Sequence, residues 1–209
     1  MAVGMEVTQA QAAQATDTRD AIISAAFACF RTQGLRKTTI VDIAKAADVS
    51  RSTFYEYFRD KETIVEACAE AASQRFYRNM AKAIDRHGGS TLEGRLVRAA
   101  VFVTQARQVV EPEAYFDQEE VNLMMTKNAA TLLKECAEFV APYVSAARLT
   151  GEVRSDIDIP SATEWFARML FSLFTTPSPN IDMRDDDAVA KFVRPYVVSG
   201  FVEDRSRRR

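Results

Sequence analysis

GLRKTTIVDIAKAADVSRSTFYEYFRDK, Gly34 to Lys61, is the stretch whose spacing decides the fold. Ile40, Ile43, Ala44 and Ala47 recur at helical intervals, as do Phe54 and Phe58 in the segment that follows, so two short helices share one small core. Thr38 and Thr39 stand where the first helix needs a cap, and a threonine hydroxyl there satisfies an orphan amide at a gain of about 1 kcal/mol. Ala47-Asp48-Val49-Ser50 separates the helices. Asp48 can take the left-handed conformation that only Gly, Asn and Asp visit readily, and Ser50 caps what comes next. Helix, tight turn, helix is the pattern of a reader of the DNA major groove.

The second helix, Arg51 to Phe58, places Arg51, Ser52, Thr53, Tyr55 and Tyr57 at its start and on its outer side, with Phe54 and Phe58 turned inward. An arginine pairs in bidentate fashion with guanine O6 and N7, whereas hydroxyls suit phosphate oxygens, which makes Arg51 the expected base reader. Lys61 follows Asp60, an expected cap for a long third helix, so its ammonium and that helix's first amides are placed to hold a backbone phosphate.

These residues resemble the tetracycline-repressor (TetR) family of bacterial regulators, whose signature runs Gly, paired Thr, Ile-Ala, Gly-Val-Ser, Thr-Leu-Tyr, Tyr-Phe, Lys-Glu. Here it reads Gly34, Thr38-Thr39, Ile43-Ala44, Asp48-Val49-Ser50, Thr53-Phe54-Tyr55, Tyr57-Phe58 and Lys61-Glu62. Asp48 replaces the usual turn glycine and Phe54 the usual leucine; the first needs only a tolerated backbone, and the second is an apolar exchange in the core. The residues expected to face DNA are Thr38, Thr39, Arg51, Ser52, Thr53, Tyr55, Tyr57 and Lys61.

Composition sets bounds on this expectation. The 209 residues are 47% hydrophobic and 27% charged, enough to bury a sizeable core. The net charge of -2 is unusual for a nucleic-acid binder, but Arg36, Lys37, Lys45, Arg51, Arg59 and Lys61 gather around the motif, while Glu111, Glu113, Asp117, Glu119 and Glu120 lie far along the chain. No apolar run is long enough to span a bilayer and the first residues lack the pattern of a signal peptide, so a cytoplasmic protein with no membrane partner is expected. Cys29, Cys68 and Cys136 sit far apart in helical patterns and read as reduced, buried thiols, not as metal ligands. His87, the single histidine, stands beside two glycines and reads as a loop residue, so neither a histidine pair for a metal nor a nucleophile triad is available. No enzyme and no cofactor is expected.

The whole chain reads as all-α, with about nine helices: a three-helix head over 17–61 and a larger body over 62–203. The head follows a flexible arm over 1–16, and a basic tail spans 204–209. The opening helix runs Asp17 to Gln33 and Gly34 stops it; a long helix runs Asp60 to Arg86; Ser90 with Glu93 forms a capping-box pattern before a helix ending near Val110. Further helices are expected at Glu113 to Lys127, Asn128 to Leu149, from Pro160, and at Asp185 to Gly200. The helix after Pro160 is apolar nearly all round, and a single subunit leaves part of such a surface uncovered. The resemblance implies that the last two helices meet their copies in a homodimer, through Trp165, Phe171, Phe174, Phe192 and Tyr196. A two-fold dimer reads two half-sites, so its double-stranded DNA operator is an inverted repeat. The resemblance also implies a repressor and a small-molecule effector, lipid-like or aromatic, in the middle of the body. Phe76, Tyr77, Met80, Phe102, Tyr115, Phe116, Met124, Met125, Phe139, Tyr143, Trp165 and Met169 are the expected lining. The alternative is a dimeric helical small-molecule-binding protein without sequence-specific DNA recognition.

Overall fold

The computed structural model describes residues 2–87, 89–113 and 128–202. These residues form eight helices: α1 Ala2–Gln33, α2 Ile40–Ala46, α3 Arg51–Tyr57, α4 Lys61–His87, α5 Leu92–Glu113, α6 Ala129–Leu149, α7 Ile159–Thr175 and α8 Asp186–Phe201. The helix expected over Glu113 to Lys127 falls, beyond Glu113, outside the described residues, as does the 204–209 tail. Within the described residues, extended pairing is confined to one isolated antiparallel bridge, Val153 with Val202. The stretch expected as a flexible arm is helical from Ala2, since its run of Ala and Gln consists of good helix formers and α1 carries straight through it.

The chain divides into two compact units, and it passes from one to the other within α4, after Arg75. The sequence suggested a boundary at Lys61. The difference has a packing cause: Ile64, Ala67 and Cys68, in the first turns of α4, are buried in the same cluster as Ile22, Ala26 and Phe30 of α1, Ile43 of α2, and Phe54 of α3. Gly34, at φ +80, ends α1 in the left-handed conformation, and its amide donates to the Phe30 carbonyl at 2.9 Å. Phe54 is wholly buried and its ring lies 5.7 Å from that of Phe58, so the inward face of α3 is anchored by two aromatics. Truncating one such ring costs about 3–5 kcal/mol.

The second unit is a helical body around Met80, Leu92, Leu96, Val140, Phe166 and Val193. Asp158 caps α7, its carboxylate accepting from the Ser161 amide at 3.0 Å, and Pro160 occupies the first turn, where its missing amide costs nothing. The α5 N-terminus borrows a distant acceptor, Glu152 Oε2, at 2.8 Å from the Leu92 amide. Asp186, at the start of α8, receives Gln105 Nε2 at 2.6 Å and stands 3.6 Å from Arg98 Nη1, which ties α8 to α5. Helix α6 runs through Pro142 and α8 through Pro195. Neither unit's helices are long and apolar enough among the described residues to cross a membrane.

Candidate nucleic-acid interface

The turn between α2 and α3 sets the geometry of the site. Val49 donates its amide to Ala44 O at 3.0 Å and Asp48 donates to Lys45 O at 3.2 Å, the paired bonds of a Schellman ending. The residue such an ending needs in the left-handed region is Asp48, at φ 55, and it is the single non-glycine residue with positive φ among the described residues. The end of α6 repeats the motif with a glycine: Gly151, φ +72, donates to Arg148 O and Glu152 to Ala147 O. Immediately after Asp48, Ser50 Oγ accepts from the Thr53 amide at 3.0 Å and starts α3. The expected turn and its cap are thus both present, and α3 spans Arg51–Tyr57 with Phe58 as its C-cap.

Helix α2 starts at Ile40, so of the two threonines it is Thr39 that caps it. Thr39 is its N-cap in a full capping box: the Asp42 amide donates to Thr39 Oγ1, and the Thr39 amide donates back to Asp42 Oδ2 at 2.9 Å. The Thr39 hydroxyl also donates to Asp42 Oδ2, at 2.6 Å. The hydroxyl first, and the amide second, hold the Asp42 carboxyl below its ordinary range. Asp60 performs the same service for α4, accepting from the Thr63 amide at 2.9 Å; that bond, then the Arg59 guanidinium, lowers its pKa.

The expected DNA-facing residues divide into two groups. Thr39, Arg51, Ser52 and Tyr55 are exposed, and Thr53 is half-buried beneath the Ser50 hydroxyl, 2.9 Å from its own. Thr38 is different: it is buried, and its hydroxyl donates to the Gly34 carbonyl at 2.8 Å, closing the loop after α1. Tyr57 packs its ring against the core of this unit. Lys61 turns its ammonium onto the Leu35 carbonyl at 2.6 Å and the Arg36 carbonyl at 3.3 Å. The sequence reading missed Val41, exposed on α2, whose signal was an apolar residue off the buried stripe. Arg36, Lys37, Lys45 and Arg59 are exposed in the same unit.

In the second unit, five of the expected effector-site aromatics form one continuous run. Phe102 meets Phe76 at 5.3 Å, Phe76 meets Tyr77 at 5.5 Å, Tyr77 meets Phe139 at 5.1 Å and Phe139 meets Tyr143 at 5.7 Å. Burial, and then the neighbouring Cys136, raises the pKa of Tyr77. Met80 is fully buried in the adjoining core and Met169 packs against it. Tyr115, Phe116, Met124 and Met125 lie outside the described residues. Trp165 lies elsewhere, against Phe201, on the wall of a cleft of about 480 Å³ that Arg154, Asp156 and Tyr196 also line. Arg95, which the sequence reading passed over, stacks its guanidinium 5.9 Å from the Tyr143 ring, with Nε buried and without a hydrogen-bond partner among the described residues.

Among the expected dimer residues, Trp165, Phe192 and Tyr196 are 46%, 42% and 57% exposed, while Phe171 is half-buried and Phe174 packs against the core. Cys29 and Cys68 are buried and Cys136 half-buried, all three as free thiols. No group of three or more His, Cys, Asp and Glu among the described residues is placed to hold a metal.

A capped pair of short helices at a left-handed turn, with a donor-rich face on the second, is the geometry of a helix-turn-helix module. Residues 22–68 match the family model described as bacterial regulatory proteins, tetR family. The match takes in α2 and α3 with the adjoining parts of α1 and α4, less than a quarter of the chain. Over 58 residues the chain is 38% identical to the HTH-type transcriptional regulator TtgR of Pseudomonas putida, a match covering 28% of this chain and 28% of that relative. The match therefore spans little more than a quarter of the curated relative's length. The fold likeness extends further. The TetR family repressor AlkX from Dietzia sp. strain DQ12-45-1b, implicated in biodegradation of n-alkanes, superposes with a TM-score of 0.57 at 21% identity, over 87% of this chain and 95% of that one. SmeT, the repressor of the Stenotrophomonas maltophilia multidrug efflux pump SmeDEF, gives a TM-score of 0.56 at 18% identity, over 90% and 91%.

Proposed function

We propose that this protein is a sequence-specific transcriptional repressor that binds an inverted-repeat operator as a homodimer and releases it when a small apolar effector enters the body. The observation that carries this proposal is the outer face of α3: Arg51, Ser52 and Tyr55 stand exposed on a helix whose start is capped by Ser50 and whose approach is bent by Asp48. Arg51 reads a base edge, Ser52, Tyr55 and Thr39 take phosphate or sugar, and Val41 offers an apolar contact. Protein and DNA meet in the cytoplasm.

Dimerisation is supported by the three aromatics that α7 and α8 leave exposed, Trp165, Phe192 and Tyr196. A lipid-like or aromatic effector is supported by the aromatic run from Phe102 to Tyr143. Such a ligand lowers operator affinity only through its preference for the conformation that fits DNA poorly, a coupling of about 1–3 kcal/mol in typical cases.

Fluorescence anisotropy on a labelled operator tests the assignment. Arg51→Ala is expected to lose discrimination at one base pair per half-site and keep it elsewhere. Equal loss on every sequence would remove Arg51 as the base reader. Absence of any sequence preference in the unaltered protein would turn the reading into its alternative, a helical binding protein without sequence-specific DNA recognition.

A further inference from the structure

From the hydrogen bonds of its ammonium group, we infer that Lys61 is a positioning residue that straps the loop between α1 and α2 to the first turn of α4, and so sets where Arg36 and Lys37 meet the DNA backbone. The part that concerns DNA rests on the proposed function; the strap itself does not.

A cation in the first turn of a helix faces the positive end of the helix dipole, so a lysine there needs compensation. Asp60, the cap of α4, supplies part of it. The remainder comes from across the unit: Lys61 Nζ donates at 2.6 Å to Leu35 O and at 3.3 Å to Arg36 O, residues 26 and 25 positions earlier in the chain. Both carbonyls lie in the turn outside any helix. One ammonium therefore replaces the ladder bonds that this turn lacks.

The strapped segment is short and its other end is also pinned. Gly34 leaves α1 at φ +80, Thr38 is held by its hydroxyl on the Gly34 carbonyl, and Thr39 is committed to the capping box of α2. Between these fixed points lie Arg36 and Lys37, both exposed and both cationic. With the strap in place their backbone has one position, and any displacement of the first turn of α4 is carried to it. Without the strap, two phosphate contacts lose their register together. A lysine that bound phosphate directly would instead account for one contact.

The experiment compares Lys61→Met, which keeps the aliphatic stem and removes the donors, with Lys61→Arg, which keeps charge and donors. The first readout needs no DNA. Amide exchange is followed by NMR in the free protein at Thr38, whose amide donates to Gly34 O at 3.2 Å, and at Thr39, whose amide donates to Asp42 Oδ2 at 2.9 Å. Lys61→Met is expected to speed both by at least about 10-fold while Phe54 in α3 keeps its protection, and Lys61→Arg to restore most of the loss. Unchanged exchange at Thr38 and Thr39 overturns the strap. If Lys61→Met loosens Phe54 as well, Lys61→Gln is scored by the ratio of Thr38 to Phe54 exchange, and an equal rise at both overturns the role.

The second readout is the slope of log affinity against log salt on duplex DNA. Loss of two phosphate contacts lowers the slope by about 1.8, at about 0.9 per contact, whereas a direct phosphate ligand lowers it by about 0.9 and leaves the exchange rates untouched. That second pattern also overturns the inference. Should the unaltered protein bind no DNA, the regulator reading fails, and the exchange rates still decide the strap.

Discussion

Replacing Asp48 by glycine, alanine and valine in turn probes the turn on which the orientation of α3 depends. The backbone at Asp48 is left-handed, φ 55, and an L-residue pays about 1–2 kcal/mol to sit there. Aspartate lies at the low end of that range, since Asn and Asp are several-fold enriched over other non-glycine residues in the left-handed region. Glycine removes the steric cost but adds about 0.5–1 kcal/mol of unfolded-chain entropy, so Asp48→Gly is expected to fall within about 1 kcal/mol of the parent, on the stabilising side. The Schellman turn after α6 already uses that solution at Gly151. Alanine lacks aspartate's tolerance of the left-handed region, and valine adds β-branch crowding, so Asp48→Val is expected to cost about 1–2 kcal/mol more. The assay is amide exchange at Phe54 and Phe58, whose amides donate to Ser50 O and Phe54 O at 3.0 and 2.9 Å. Exchange in the valine variant should be faster by a factor of about 5–30, with alanine between valine and the parent. A valine variant exchanging at the parent rate, or a glycine variant weakened by more than about 1 kcal/mol, would refute the claim that backbone strain at Asp48 limits this turn.

Four further outcomes are expected. Arg51→Ala should cost about 1–3 kcal/mol of operator affinity, concentrated at one base pair, as read by competition with single-site operator variants. Ser50→Ala removes the cap of α3 and should lower its stability by about 1 kcal/mol; exchange at Thr53, whose amide bonds Ser50 Oγ at 3.0 Å, reads this directly. Tyr196→Glu combined with Trp165→Ala places a charge among the exposed aromatics of α7 and α8 and should yield a monomer in sedimentation velocity; a persistent dimer would move the interface elsewhere. Burial pushes the Cys68 and Cys136 thiols up to about 12 from an ordinary 9.0, so above pH 9 the unfolded chain releases protons that the folded chain keeps. Stability should therefore fall as pH rises from about 9 towards 12, and denaturation midpoints that stay level across that window would contradict the burial of these thiols.

The turn was legible in the sequence because its determinants are local. Thr39 and Ser50 each accept from an amide three positions on, Asp48 acts through its own backbone conformation, and their identities suffice to place them. Lys61 was legible only as a cation at a helix start. Its partners lie 25 and 26 residues upstream and are backbone carbonyls, which carry no residue signature. Thr38 was misplaced for a related reason: a threonine hydroxyl serves a cap, a phosphate or an interior carbonyl equally well, and only the fold shows that it meets Gly34 O. In the body, helical spacing marked Phe76, Phe102, Phe139 and Tyr143 as inward residues, but spacing cannot distinguish one cluster from another. Trp165, grouped with them by residue type, stands against Phe201. Helix limits differed by a residue or so at α7 and α8 and by a whole arm at α1, where no capping residue marked Ala2.

Selection of bound duplexes from a random DNA library with the purified protein, at two salt concentrations, tests the central claim most directly. The expected product is an inverted repeat whose half-sites lie about one helical turn apart, recovered at both salts with weaker binding at the higher one. Binding that is salt-sensitive yet yields no common sequence would contradict it.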